Sequence, residues 1–165
     1  MAGCRWRDRR SGPQAAVFEV VYVEHEVEVY RYLARRLDAA TAEEAAVEVF
    51  AAAWAEYAKD PSRDGSDVRR WLLGHAVAAV GRRRCAELGH LRHLASNGFS
   101  SDSGCRHVAR ALVDLDPVDR DLLSLHVWAG VSHGCAGELV GVHPASARRR
   151  IDDAYDFVRR RAEAA

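Results

Sequence analysis

Between Ala15 and Leu37 the chain has neither proline nor glycine, and its apolar residues fall at Val17, Phe18, Val21, Tyr22, Val29, Tyr30, Leu33 and Leu37. That spacing follows the period of an α-helix. The valines and tyrosines suit a strand locally, but the run is too long and its period too regular for one. The pattern then repeats. Thr41-Ala42-Glu43-Glu44 reads as a capping box, in which Thr41 accepts from the Glu44 amide and Glu44 reaches back. It opens a helix to about Tyr57, with Ala46, Val47, Phe50, Ala53 and Trp54 on the apolar face. Pro61 and Gly65 mark a loop, and a third helix is predicted from about Asp67 to Leu88. The predicted class is all-α. Phe50, Trp54, Trp71 and Trp128 read as core.

Residues 1–14 read as a disordered N-terminal tail, and 15–88 as a first helical domain. The run from Gly89 to Gly104, with Asn97-Gly98 and Ser100-Ser101-Asp102-Ser103, is too polar to bury much surface. A flexible linker is therefore expected over 89–106, leaving 107–163 as a second domain. That domain reads as four short helices. The first covers roughly His107 to Leu115. Asp116-Pro117 starts the next, with Asp as N-cap and Pro in the first turn, and Gly130 ends it. Ser132 caps a helix to about Val140, Gly141-Val142 turns the chain, and His143-Pro144 opens the last helix, to about Arg161.

Composition narrows the function. Formal net charge is zero, with 24 Lys+Arg against 24 Asp+Glu, which argues against a protein that holds nucleic acid by bulk charge alone. Lys59 is the sole lysine, and arginines cluster at Arg82-Arg83-Arg84, Arg148-Arg149-Arg150 and Arg159-Arg160-Arg161. No apolar run is long enough for a membrane span, and residues 1–14 lack the apolar stretch of a signal peptide, so a cytoplasmic location is expected. Cys4, Cys85, Cys105 and Cys135 form no Cys-x-x-Cys pair and read as separate reduced thiols. A zinc site from His90, His93, Cys105 and His107 matches no standard finger spacing, so neither a metal nor another cofactor is expected. There is no glycine-rich phosphate loop and no nucleophile motif, so an enzyme is not expected.

The segment from Ser132 to Ile151 has the layout of a helix-turn-helix. A glycine at the turn permits a left-handed backbone, and a small residue four positions earlier, Gly137, lets the helices cross closely. Val140, Val142, Ala147 and Ile151 are expected to face inward. Ser146, Arg148 and Arg149 face outward, with His143 at the cap and Arg150 one step round. In this motif the second helix enters the major groove. A plain helical hairpin with a solvated arginine face gives the same local pattern.

The two halves together resemble a known family. Phe18-Glu19, Tyr30-Arg31-Tyr32-Leu33-Ala34, Ala42-Glu43-Glu44, Glu48-Val49-Phe50, Ala53-Trp54 and Trp71-Leu72-Leu73-Gly74 are similar to the first domain of extracytoplasmic-function sigma factors, in the bacterial sigma-70 family. Leu112, Leu115, Pro117, Asp119-Arg120, Leu122-Leu123 and Trp128-Ala129-Gly130-Val131-Ser132 resemble the start of its second domain. Glu138-Leu139, Gly141-Val142, Pro144 and Arg148-Arg149-Arg150 continue into its helix-turn-helix. The likeness covers roughly 15–90 and 108–161. It implies a transcription initiation factor whose first domain grips core RNA polymerase through Glu44, Val47, Glu48 and Ala51 and opens the promoter element near the start site. The second domain would read the upstream element through His143, Ser146, Arg148, Arg149 and Arg150. Arg82, Arg83 and Arg84 would stand near promoter DNA, and an anti-sigma factor is an implied partner.

The chain diverges from the family pattern. Val77-Ala78 stand where the family has Arg-Asn after the tryptophan-led segment, and Ala45-Ala46-Val47 where Leu-Val-Gln is usual. Asp152-Asp153 replace residues that are commonly basic. These departures favour a second reading: a sigma-like interaction module or decoy that binds polymerase or an anti-sigma factor without melting a promoter.

Overall fold

The structure is a computed structural model, which describes residues 12–60, 67–97 and 103–164. Every element among the described residues is an α-helix, in agreement with the all-α prediction: α1 (Pro13–Ala34), α2 (Ala39–Tyr57), α3 (Val68–Arg82), α4 (Arg84–Asn97), α5 (Ser103–Asp114), α6 (Pro117–Ala129), α7 (His133–Val140) and α8 (Pro144–Glu163). None of these helices is long and apolar enough to cross a membrane.

Local chemistry sets most boundaries where the sequence places them. Asp116 caps α6 by accepting from the Val118 amide at 2.9 Å. Gly130 ends α6 at φ 64° and Gly141 ends α7 at φ 76°, both left-handed positions that favour glycine. Ser132 accepts from the Cys135 amide at 3.2 Å to start α7.

Three boundaries differ. The cap of α2 is Asp38, not Thr41. Its carboxylate accepts from the Thr41 amide at 3.1 Å and from the Thr41 hydroxyl at 2.7 Å, so the expected capping box is displaced by one turn. The long third helix breaks at Arg83, whose backbone (φ −113°, ψ 28°) leaves the helical region between α3 and α4. Most of the stretch expected to be a flexible linker, 89–106, is also helical. α4 runs through it to Asn97 and α5 begins at Ser103. Leu91 is buried there. Residues 98–102 lie outside the described residues, as do 1–11 of the expected N-terminal tail.

The helices do not sort at residue 89 as expected. α1, α2 and α3 pack on one another, whereas α4 lies chiefly along α5 and belongs with the C-terminal helices. The polar linker composition misled because α4 buries only part of one face. The apolar core is continuous across both groups, from Leu33, Leu37, Phe50 and Leu72 to Leu91, Leu122, Leu125 and Ile151. Of the aromatics assigned to the core, Phe50 is buried, while Trp54, Trp71 and Trp128 are half-buried against it. Phe18 meets the Trp54 ring edge-on at 5.2 Å, and Tyr22 meets Phe50 at 4.7 Å, which pins α1 to α2.

Candidate nucleic-acid interface

α7 and α8 cross at Gly137. A Cβ there would stand 2.7 Å from the Val142 carbonyl oxygen and 2.8 Å from the Ala147 Cβ, so no larger residue fits without moving backbone. The small-residue requirement inferred from spacing is thus met by geometry. Ala147, Ile151 and Ala154 are buried against the core, and Val140 and Val142 pack on it. This fixes which face of α8 turns outward.

That outer face carries the predicted residues. His143 caps α8, its Nδ1 accepting from the Ala145 amide at 3.3 Å. His143, Ser146, Arg148 and Arg149 are all exposed. Arg148 is 76% exposed, and its nearest carboxylate is Asp152, one turn on and 4.0 Å away. Asp152, which stands where the family is commonly basic, shares the face of Arg148 and partly offsets its charge. Pro144 has no amide hydrogen, and the Ser146 and Ala147 amides donate to the His143 carbonyl at 2.9 Å, so the N-terminus of α8 offers an anion its helix dipole rather than free amides.

Arg150 is placed differently. Its guanidinium folds back onto α6, bonded to Asp119 and to Asp116 at 3.2 Å. The Asp119 hydrogen bond, against a smaller effect of burial, raises its pKa further. It braces α8 against α6 and is not turned to the outer face.

The Arg82-Arg83-Arg84 block is likewise engaged internally. Arg82 and Arg83 both pair with Glu48 of α2, Arg83 at 2.7 Å. Arg84 pairs with Asp121 and, at 3.0 Å, with Glu87. At the break, Arg82 and Arg83 converge on Glu48 of α2, while Arg84 turns to Glu87 and Asp121. Val77, where the family has a polar residue, is buried in the core.

On α2 the four residues expected to meet polymerase lie together on the outer side. Val47 is 68% exposed, Glu44 and Ala51 are exposed, and Glu48 is half-exposed. Glu48 is not a free acid on this face. Hydrogen bonds from Arg83 and Arg82, opposed by partial burial, hold its carboxyl below the ordinary range.

A buried charge cluster that sequence reasoning missed lies at the junction of α1, α4 and α6. Arg36, Glu87, Arg120 and Asp121 are all buried. Arg36 bonds Glu87 at 2.7 Å, Asp121 at 2.6 Å and the Tyr32 hydroxyl at 2.9 Å. Burial alone would lower the Arg36 pKa, but Tyr32, Asp121 and Glu87 outweigh it and hold the guanidinium charged. Burial pushes the Tyr32 hydroxyl up, so it remains neutral. Arg120 bonds Glu87 at 3.1 Å and closes the end of α5 through the carbonyls of Leu112 at 2.7 Å and Leu115 at 2.9 Å. The only sequence signal for this cluster is a set of charged residues at otherwise apolar helix positions, and it is visible only once the packing partners are known.

Among the described residues no group of three or more His, Cys, Asp or Glu side chains is placed to hold a metal ion. Cys85 and Cys105 are exposed and in no disulfide, and Cys135 is half-buried, which pushes its thiol pKa up. Cys4 lies outside the described residues.

No protein-family model matches the chain, and no curated protein is significantly similar to it.

Proposed function

We propose that this chain is a sigma-like transcription initiation factor that binds core RNA polymerase and reads promoter DNA with α8. One observation carries the reading. The obligatory crossing at Gly137 turns a continuous outer face of α8, bearing the cap His143 and the exposed Ser146, Arg148 and Arg149, away from the core. A helix N-terminus followed within two turns by exposed arginines suits phosphate contact first and guanine edges next. The exposed Val47 and Ala51 on α2, flanked by Glu44, are the corresponding candidate surface for polymerase. The work of such a factor is done in the cytoplasm, and an anti-sigma factor is a further proposed partner.

A second reading is favoured by a specific observation. Arg82, Arg83 and Arg84 are consumed in ion pairs, and Val77 is in the core, so the first domain offers little to a melted strand. A decoy that binds polymerase or an anti-sigma factor without opening DNA has the same outer faces.

Co-purification with core polymerase, followed by run-off transcription from duplexes selected out of a random library, separates the two. Polymerase binding with selective transcripts supports the initiation factor. Polymerase binding without transcripts supports the decoy. Failure to bind either polymerase or DNA overturns the initiation factor and the polymerase-binding decoy.

A further inference from the structure

Helix α1 is apolar on two sides. Its inner side sends Val29, Tyr32 and Leu33 into the core, and Phe18 and Tyr22 onto α2. Val20, Val23 and Val27, at helical spacing, share the opposite face. They are 56%, 65% and 50% exposed, and Val17 beside them is 52% exposed. A contiguous row of apolar residues along one helix marks a surface that another segment covers. Val27 also borders a cleft of about 420 Å³ between α1 and α6, with Trp128 in its wall.

The charges around this row indicate what covers it. By helical period Glu19 and Glu26 flank it on one side and Glu24 on the other. Glu28 already pairs with Arg69, but among the described residues no cation pairs with Glu19, Glu24 or Glu26. A second copy of α1 laid on the row would set carboxylate against carboxylate, which is repulsive. A segment with arginines around an aromatic residue is complementary. Residues 1–11 supply one: Arg5, Arg7, Arg9 and Arg10 against the single Asp8, with Trp6 among them. They join the helix just before the row, since Gly12 is the N-cap of α1. At 1.5 Å per residue, Val27 lies about 21 Å along α1 from Pro13. Extended chain covers about 3.3 Å per residue, so a chain doubling back brings Trp6 to Val27, Arg7 level with Glu24 and Glu26, and Arg10 level with Glu19.

We propose that the outer face of α1 is a docking surface for residues 5–10 of this same chain. Trp6 covers Val23 and Val27 at the mouth of the α1–α6 cleft, and the arginines pair with Glu19, Glu24 and Glu26. Because the segment is tethered to the helix that it covers, it meets the row at an effective concentration on the order of millimolar, so weak contacts suffice. Occupancy hides the valine row from other partners. The docking is independent of the proposed function, since neither polymerase nor DNA takes part in it.

The test uses the full chain with Cys85, Cys105 and Cys135 changed to Ser, Cys4 kept, and Arg31→Cys introduced. Arg31 is exposed one turn beyond Val27, where Cys4 arrives in the docked register. Equilibration with glutathione gives the effective concentration of the two thiols. Trp6→Ala should lower it about three- to ten-fold. Glu19→Gln, Glu24→Gln and Glu26→Gln together should also lower it, and should weaken the fall that added salt produces in the parent. Circular dichroism checks that every variant keeps its helices. An effective concentration unmoved by Trp6→Ala overturns the proposal even if the glutamate changes act, because bare charge attraction then accounts for them. One unmoved by the glutamate changes overturns the charge match and with it the assigned occupant. Disulfide-linked dimers in place of the intramolecular bond, increasing with protein concentration, would assign the surface to the segment of another copy and overturn docking within one chain.

Discussion

Gly137 passes so close beneath Ala147 that a side chain at 137 would stand 2.8 Å from the Ala147 Cβ, while its neighbour Gly134 has nothing nearer than the Pro144 Cβ at 4.0 Å. The two glycines of α7 should therefore respond oppositely to the same change. Gly137→Ala forces backbone at Val142 to shift, an overpacking cost of about 1–3 kcal/mol. Gly134→Ala fits in ordinary contact and reduces the freedom of the unfolded chain, a gain of up to about 1 kcal/mol. At roughly 2–4 °C per kcal/mol for a chain of this size, thermal melts resolve the two. A Gly137→Ala protein that melts no lower than the parent would remove the steric basis for the α7–α8 crossing.

Adjacent arginines on α8 should also separate. Arg149 is exposed, and Arg150 is bonded to Asp119 and Asp116. Arg149→Ala should leave the melting temperature unchanged and, if Arg149 meets a guanine edge, cost about 1–3 kcal/mol of binding that depends on the base present. A phosphate contact would instead weaken all sequences alike and flatten the salt dependence. Arg150→Ala should lower stability and affect DNA only through the position of α8. Fluorescence anisotropy on a selected duplex, paired with melts, reads both. Intact DNA binding after Arg148→Ala and Arg149→Ala together would leave α8 without a reading role.

Asp152 sits one turn beyond Arg148 and 4.0 Å from its guanidinium. Asp152→Asn frees that charge and removes an acid from the outer face, so it should strengthen DNA binding modestly, most at low salt. The same anisotropy assay across a salt series is the check, and weaker binding by the variant would mean that Asp152 positions Arg148 for contact.

What the sequence made legible was local. Asp116-Pro117, Gly130, Ser132 and Gly141 act within one turn of their own position, so their caps could be read without knowing the fold. Gly137 was legible because helix crossing requires a small residue at that offset from the turn. The break at Arg83 was not: Gly81 stands two residues before it, but lies inside α3 without a left-handed backbone and does not itself end the helix. The break is held by contacts that converge from elsewhere: Glu48 on Arg82 and Arg83, and Asp121 on Arg84, at 34 to 37 residues' separation. The candidate site divides the same way. The exposed residues of α8 followed from helical period, whereas the internal duties of Arg84 and Arg150 depend on acids contributed by α4 and α6.

The pairing of Glu48 with Arg82 and Arg83 should show in the acid limb of stability. Its folded pKa is depressed, so its contribution is present above the ordinary glutamate value of about 4.3 and is lost as pH falls through the lower folded value. Glu48→Gln should be slightly less stable than the parent near neutral pH, and the difference should close below about pH 4. The group is half-exposed, so solvent screening keeps the effect small. Urea titrations at stepped pH measure it. A stability gap that widens on acidification would assign Glu48 the wrong sign.

Glu87 carries the largest predicted effect. In the cluster at α1, α4 and α6, Arg36, Arg84 and Arg120 face Glu87 and Asp121, which leaves one surplus positive charge. Glu87→Leu alone raises the surplus to two and strips Arg36 and Arg120 of a buried partner. Breaking a buried pair from one side costs about 3–5 kcal/mol. Combining Glu87→Leu with Arg36→Met returns the surplus to one, and Arg120 keeps its bonds to the Leu112 and Leu115 carbonyls. Because Arg36 and Glu87 touch directly, their costs should not add, and the double variant should be more stable than Glu87→Leu alone. A double-mutant cycle from urea unfolding gives the coupling. If the double variant is as unstable as the two single changes summed, Arg36 and Glu87 do not act as a pair, and the cluster contributes through packing alone.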